Sequence, residues 1–114
     1  MEKLTNDEIQ AKADSLTEKL KNKVTPIVIT DESGAQVIGY FQEAEYDVRL
    51  YASDMYYTKE ISKAKEAIFR NCLIQEESSP VLQSKERKDA KIVASFVNEC
   101  LQFVVPYADE FKKK

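Results

Sequence analysis

The sequence predicts an α+β fold in one domain: a β-hairpin packed against three to four helices, with a long C-terminal helix in the core. Three observations lead there. A β-branched apolar run, Pro26-Ile27-Val28-Ile29-Thr30, and a second run from Gln36 to Phe41 flank a short turn that contains Gly34. Elsewhere apolar residues recur at spacings of three and four, which is the helical period. Finally, 114 residues with 43% apolar and 32% charged content make one ordinary globular domain, able to bury a core without staples.

Each element follows in order. Thr5-Asn6-Asp7-Glu8 matches the capping box, in which Thr5 and Glu8 satisfy each other's free backbone N–H groups. A helix is expected from Asn6 to about Lys21. Its stripe of Ile9, Ala13, Leu16 and Leu20 is narrow, so residues 1–23 are expected as an amphipathic helix that docks weakly on the domain or pairs with another helix. Pro26 bars its continuation. Residues 24–114 then hold the hairpin and the remaining helices. Asp31-Glu32-Ser33-Gly34 forms the turn, with Gly34 at a position of positive φ. Two strands alone are marginal, so helices must cover one face.

Ala44 to about Met55 is the next expected helix. Thr58 is placed to cap a further helix ending near Cys72, with Ile61, Ala64, Ala67, Ile68 and Cys72 on its apolar face. Glu76 to Pro80 reads as a solvated polar connection. A long helix opens near Ser84 and runs through Val105. Val93, Phe96, Val97, Cys100, Leu101 and Val104 form its wide apolar face. Pro106 is expected to kink or restart it. Lys112, Lys113 and Lys114 suit a helix C-terminus.

Composition excludes much chemistry. There is no histidine, hence no side chain with an unperturbed pKa near neutrality, and only two glycines, Gly34 and Gly39, hence no phosphate-cradling loop. Ser62-Lys63 and Ser84-Lys85 are adjacent pairs that point apart on a helix. Carboxylate pairs such as Glu43/Glu45 and Glu76/Glu77 read as solvated surface. No catalytic, cofactor-binding or metal-binding residues are therefore assigned. Cys72 and Cys100 read as buried, reduced thiols acting as small hydrophobes, and their mutual distance is open at this stage. The net charge is −3 with Lys and Arg scattered among acids, so no nucleic-acid surface is expected. No stretch approaches a membrane span, and Met1 to Glu8 lacks the apolar core of a signal peptide, so a cytosolic place is expected.

One cluster points outward. Tyr46, Tyr51, Tyr56 and Tyr57 fall within twelve residues, with Met55 between them. Tyr and Met favour protein interfaces, where a large body is buried and the hydroxyl stays wet. The plainer reading is that these rings cap the hairpin and line the core.

A strand ending Gly39-Tyr40-Phe41, a helix carrying Ala, Tyr and Met, then Phe69-Arg70-Asn71-Cys72-Leu73-Ile74, an acidic break and a last helix ending in lysines follow one another. This order resembles small phage and prophage proteins of Bacteroides-like hosts that themselves resemble tail assembly chaperones. The resemblance covers residues 24–114. The group favours an aromatic where Leu73 stands and glycines where Gln75-Glu76-Glu77 stands. It implies a non-enzymatic factor that shields apolar segments of a helical tape-measure protein, with self-association compatible. The host-cell cytosol is its implied place, or the finished virion. A small structural or accessory virion protein without a chaperone role is the alternative.

Overall fold

The hairpin lies between two layers of helices. The structure, a computed structural model, describes residues 3–111; the terminal lysines Lys112–Lys114 lie outside the described residues. In chain order come α1 (Asn6–Leu20), β1 (Val24–Thr30), β2 (Gln36–Gln42), α2 (Tyr46–Tyr57), α3 (Ile61–Cys72), three short 3₁₀ turns between Gln75 and Asp89, α4 (Ala90–Glu99) and α5 (Leu101–Glu110). The α+β class stands as expected, with α4 and α5 forming one long bent C-terminal helix.

β1 and β2 pair antiparallel in the register Val24↔Gln42 to Thr30↔Gln36. Side chains alternate across a strand, so β2 serves two cores. Val37 and Phe41, with Ile27 of β1, enter the main core with Ala52, Ala64, Ile68, Phe96, Cys100 and Val104. Ile38 and Tyr40, with Val24, enter a smaller core with Ile9, Ala13 and Leu16 of α1 and with Ile74. The expectation that helices cover one face is thus corrected: both faces of β2 are buried. Between Phe41 and the α4 side chains, Gly39 leaves the necessary gap, since a Cβ there would stand 2.9 Å from the Phe41 ring and 3.2 Å from the Phe96 ring.

The capping box forms as predicted, with Thr5 Oγ1 accepting from Glu8 N and Glu8 Oε1 from Thr5 N. The helix behind it is docked more firmly than a narrow stripe implies. Ile9, Ala13 and Leu16 are buried, and only Leu20 is left exposed. At the other end of α1, Thr17 Oγ1 accepts from Val24 N, which ties the helix to the first residue of β1.

The free edge of β2 is closed by the segment expected to be solvated. Ile38 N donates to Ser79 Oγ, Tyr40 N to Ser78 Oγ, Ser79 N to Ile38 O and Ile74 N to Tyr40 O. An isolated bridge joins Phe41 and Leu73. Residues 73–79 therefore act as an irregular third strand, with serine hydroxyls replacing missing backbone groups. The outward positions of β1 are Val24, Pro26, Val28 and Thr30, and Pro26 offers no N–H there. Covering one edge and placing proline on the other both blunt edge-to-edge aggregation.

Three further expectations change. Thr58 ends α2 instead of opening α3: its Oγ1 donates back to Asp54 O and Met55 O, and Lys59 reverses the chain at φ 66°. On α3, Ala64, Ile68, Phe69 and Cys72 are buried, while Ile61 is exposed. The last helix begins at Ala90, because Ser84 Oγ instead binds Asp89 Oδ2 in the preceding loop. Its joint falls at Cys100, whose N–H is shared between Phe96 O and Val97 O at 3.2 and 3.1 Å, a local tightening of the turn. That joint lets α4 pack on the hairpin and α5 on α2. Pro106 sits inside α5 on its exposed side and has no N–H to donate to the Gln102 carbonyl.

Candidate protein-binding surface

A helix of 3.6 residues per turn distributes the Tyr/Met cluster around α2 instead of along one face. Ala52 and Ser53 are buried at the centre of its inner face. Met55 and Tyr56 lean on the main core and are half-buried. Tyr46 and Tyr57, with Leu50 between them, share one flank and face solvent, with 68% and 52% of the two tyrosines exposed. Tyr51, 43% exposed, stands on the opposite flank. The five candidates Tyr46, Tyr51, Met55, Tyr56 and Tyr57 thus do not form one surface: Met55 and Tyr56 line the core, and the other three face solvent.

The outer flank is held in place by α5. The Tyr57 hydroxyl donates to Ala108 O at 3.1 Å. The Tyr46 ring meets Phe111 edge-on at 5.6 Å between centroids. Between these points Arg49 fastens the two helices. Its Nε donates to Ala44 O at 2.6 Å, its guanidinium lies 3.5 Å from Glu110 and 3.8 Å from Glu43, and it stands over the Tyr107 ring. Tyr107 in turn accepts Ala44 N through its hydroxyl at 3.0 Å. Burial raises the Tyr107 pKa, so the phenol stays protonated.

Ala108 also marks where the surface continues. Val105 lies one turn before it and Leu101 two turns before, and both are exposed. Leu101 was expected on the core face of the last helix; the joint at Cys100 and the placement of Val104, Tyr107 and Ala108 toward α2 turn it outward. The exposed apolar residues on this side are Tyr46, Leu50 and Tyr57 on α2, with Leu101 and Val105 on the α5 flank that Ala108 shares. Leu50, Leu101 and Val105 are the members that reading the sequence missed. The spacing 46, 50, 57 was the available signal, since these positions share a helical flank.

Tyr51 lines a separate open groove of about 550 Å³ between α2 and α3, with Val48 and Ala67 apolar and Asp47, Lys63, Glu66 and Arg70 charged. A second cleft, about 490 Å³, lies between the hairpin turn and α4 over Ile29, Val37, Val81 and Ile92. The ion pair of Lys91 with Glu32 spans its mouth. It holds the Glu32 carboxyl below its usual range and the Lys91 ammonium above it. Asp31 is also lowered, chiefly by the Ser33 hydroxyl and then by Ala35 N–H, which marks a well-ordered turn.

Cys72 and Cys100 are buried free thiols, and desolvation pushes each up to about 12. Each is held as an unreactive thiol, as expected. Among the described residues, the one buried side-chain polar atom without a partner is the Tyr40 hydroxyl, beneath α1 with Lys12 over its ring. Also among the described residues, no group of three His, Cys, Asp or Glu side chains is placed to hold a metal, and no helix is long and apolar enough to cross a membrane. No protein-family model, curated protein or solved structure matches the chain.

Proposed function

We propose that this protein is a non-enzymatic protein-binding factor, acting as a tail-assembly-chaperone-like protein on a helical tape-measure protein of a phage or prophage. The observation that carries the binding role is the row of Tyr46, Leu50 and Tyr57 left open along α2, continued by Leu101 and Val105. Large apolar side chains gathered on one exposed face favour a partner surface. An apolar stripe on two packed helices suits a helical partner laid along it. The choice of a tape-measure protein rests on the resemblance carried by the element order and by Phe69 to Ile74. The host cytosol is the proposed place of action.

Co-expression with tail proteins followed by pull-down tests the reading. A tape-measure protein should be retained, and retention should persist at high salt, because screening leaves apolar burial intact. Tyr46→Ala should weaken binding by about 1–3 kcal/mol as an exposed anchor, with the melting temperature unchanged. Tyr56→Ala, which leans on the core, should lower the melting temperature as well. Absence of any tail-protein association, together with stable incorporation into virions, would replace this reading with a structural virion role.

A further inference from the structure

The apolar row on α2 and α5 lies among an excess of carboxylates. Residues 43–57 and 101–111 carry six carboxylates, Glu43, Glu45, Asp47, Asp54, Asp109 and Glu110, against a single cation, Arg49. All six carboxylates are exposed. Arg49 is already engaged with Ala44 O, Glu43, Glu110 and the Tyr107 ring. Asp54 stands one turn beyond Leu50 and one turn before Tyr57, and Asp109 follows Val105 by one turn, while Asp47 lines the α2–α3 groove with Lys63 and Arg70.

We infer that this face selects a basic amphipathic helix: a partner segment with an apolar stripe seated on Leu50, Tyr57 and Val105 and with Lys or Arg flanking that stripe, opposite Asp54 and Asp109. The inference rests on the protein-binding reading above and deepens it by naming the partner's chemistry. Apolar burial supplies the holding contact. The acidic excess raises the rate of encounter and disfavours acidic helices, which would bring like charges together. The other cationic occupant the sequence offers is a second copy of this chain, through Lys112, Lys113 and Lys114.

The test titrates the full chain with three labelled synthetic peptides. One has a Leu stripe at helical spacing flanked by Lys, one the same stripe flanked by Glu, and one is a shuffled form of the first that keeps its charge and loses its stripe. The Lys-flanked helix should bind at least tenfold more tightly than either other peptide. The double variant Asp54→Lys, Asp109→Lys should lose at least tenfold affinity for it and gain affinity for the Glu-flanked helix. Its melting temperature should hold, since both carboxylates are exposed. Equal binding of the two striped peptides, lost on Leu50→Ala, would overturn the charge selection and leave the apolar surface standing. Equal binding of the shuffled peptide would reduce the effect to plain charge attraction and overturn the inference. A concentration-dependent dimer broken by Leu50→Lys, with no peptide bound, would assign the face to a second copy instead. Binding of none of the three, without a dimer, overturns the inference as well, while the pull-down decides the tail-protein reading separately.

Discussion

Cys72 and Cys100 show how a residue's chemistry is set by its position on a helix. Each falls on the inner face, of α3 and at the α4–α5 joint, and each thiol is raised from the ordinary 9.0 to about 12, chiefly by burial. The folded pKa lies above the unfolded one, so the contribution to stability is complete below about 9 and is lost as pH rises toward about 12. Tyr40 and Tyr107, also raised by burial, add to the same alkaline loss. A thiol reagent should label both cysteines slowly in native protein and quickly in denaturant, and rapid native labelling would contradict their burial. Cys72→Ser or Cys100→Ser should cost about 1–3 kcal/mol, measured by urea unfolding, because a hydroxyl there is buried without a partner.

At the scale of elements, the hairpin depends on a segment with no regular structure of its own. Two-stranded sheets are marginal in water, and β2 gains a substitute third strand from residues 73–79. Ser78 is central to it: its hydroxyl accepts Tyr40 N at 2.9 Å and donates to Ile74 O at 2.7 Å. Ser78→Ala removes both bonds at a buried position and leaves the Tyr40 N–H unpaired, while the Ile74 carbonyl keeps only the Glu77 N–H. A loss of about 1–3 kcal/mol in urea unfolding is expected, with faster amide exchange at Tyr40. Ser84→Ala, in an exposed stretch of the same connection, serves as the comparison and should cost clearly less. An equal loss in both would show that the serine bridge contributes nothing specific.

The whole molecule is tied together by β2, whose alternate residues belong to different cores. Ile38 and Tyr40 hold α1, while Val37 and Phe41 hold the main helical layer, so neither core forms without the same strand. Unfolding should therefore be a single transition in which far-ultraviolet circular dichroism and tyrosine fluorescence coincide. Ile9→Ala, in the smaller core, should lower that one transition by about 2–5 kcal/mol. Amides in the middle of α1 should exchange slowly even at low protein concentration. Two separate transitions, or fast exchange in α1 alone, would show that α1 is an independently opening layer.

Local signals in the chain were sufficient for the elements themselves. The capping box at Thr5 and Glu8, the β-branched runs around Gly34, and the spacing of Ala64, Ile68 and Cys72 all depend on neighbours within a few residues. Backbone geometry and helical period determine such features before any long-range contact is made. What surrounds each element was decided only by tertiary packing. Nothing near Ser78 and Ser79 in sequence announces that they close the edge of β2, because their partners lie about forty residues away. The tyrosines of α2 were visible as a cluster, but their division into core and surface depends on where α5 crosses, as does the exposure of Leu101. Periodicity states which residues share a flank of a helix; which flank meets water is settled when the remaining helices pack.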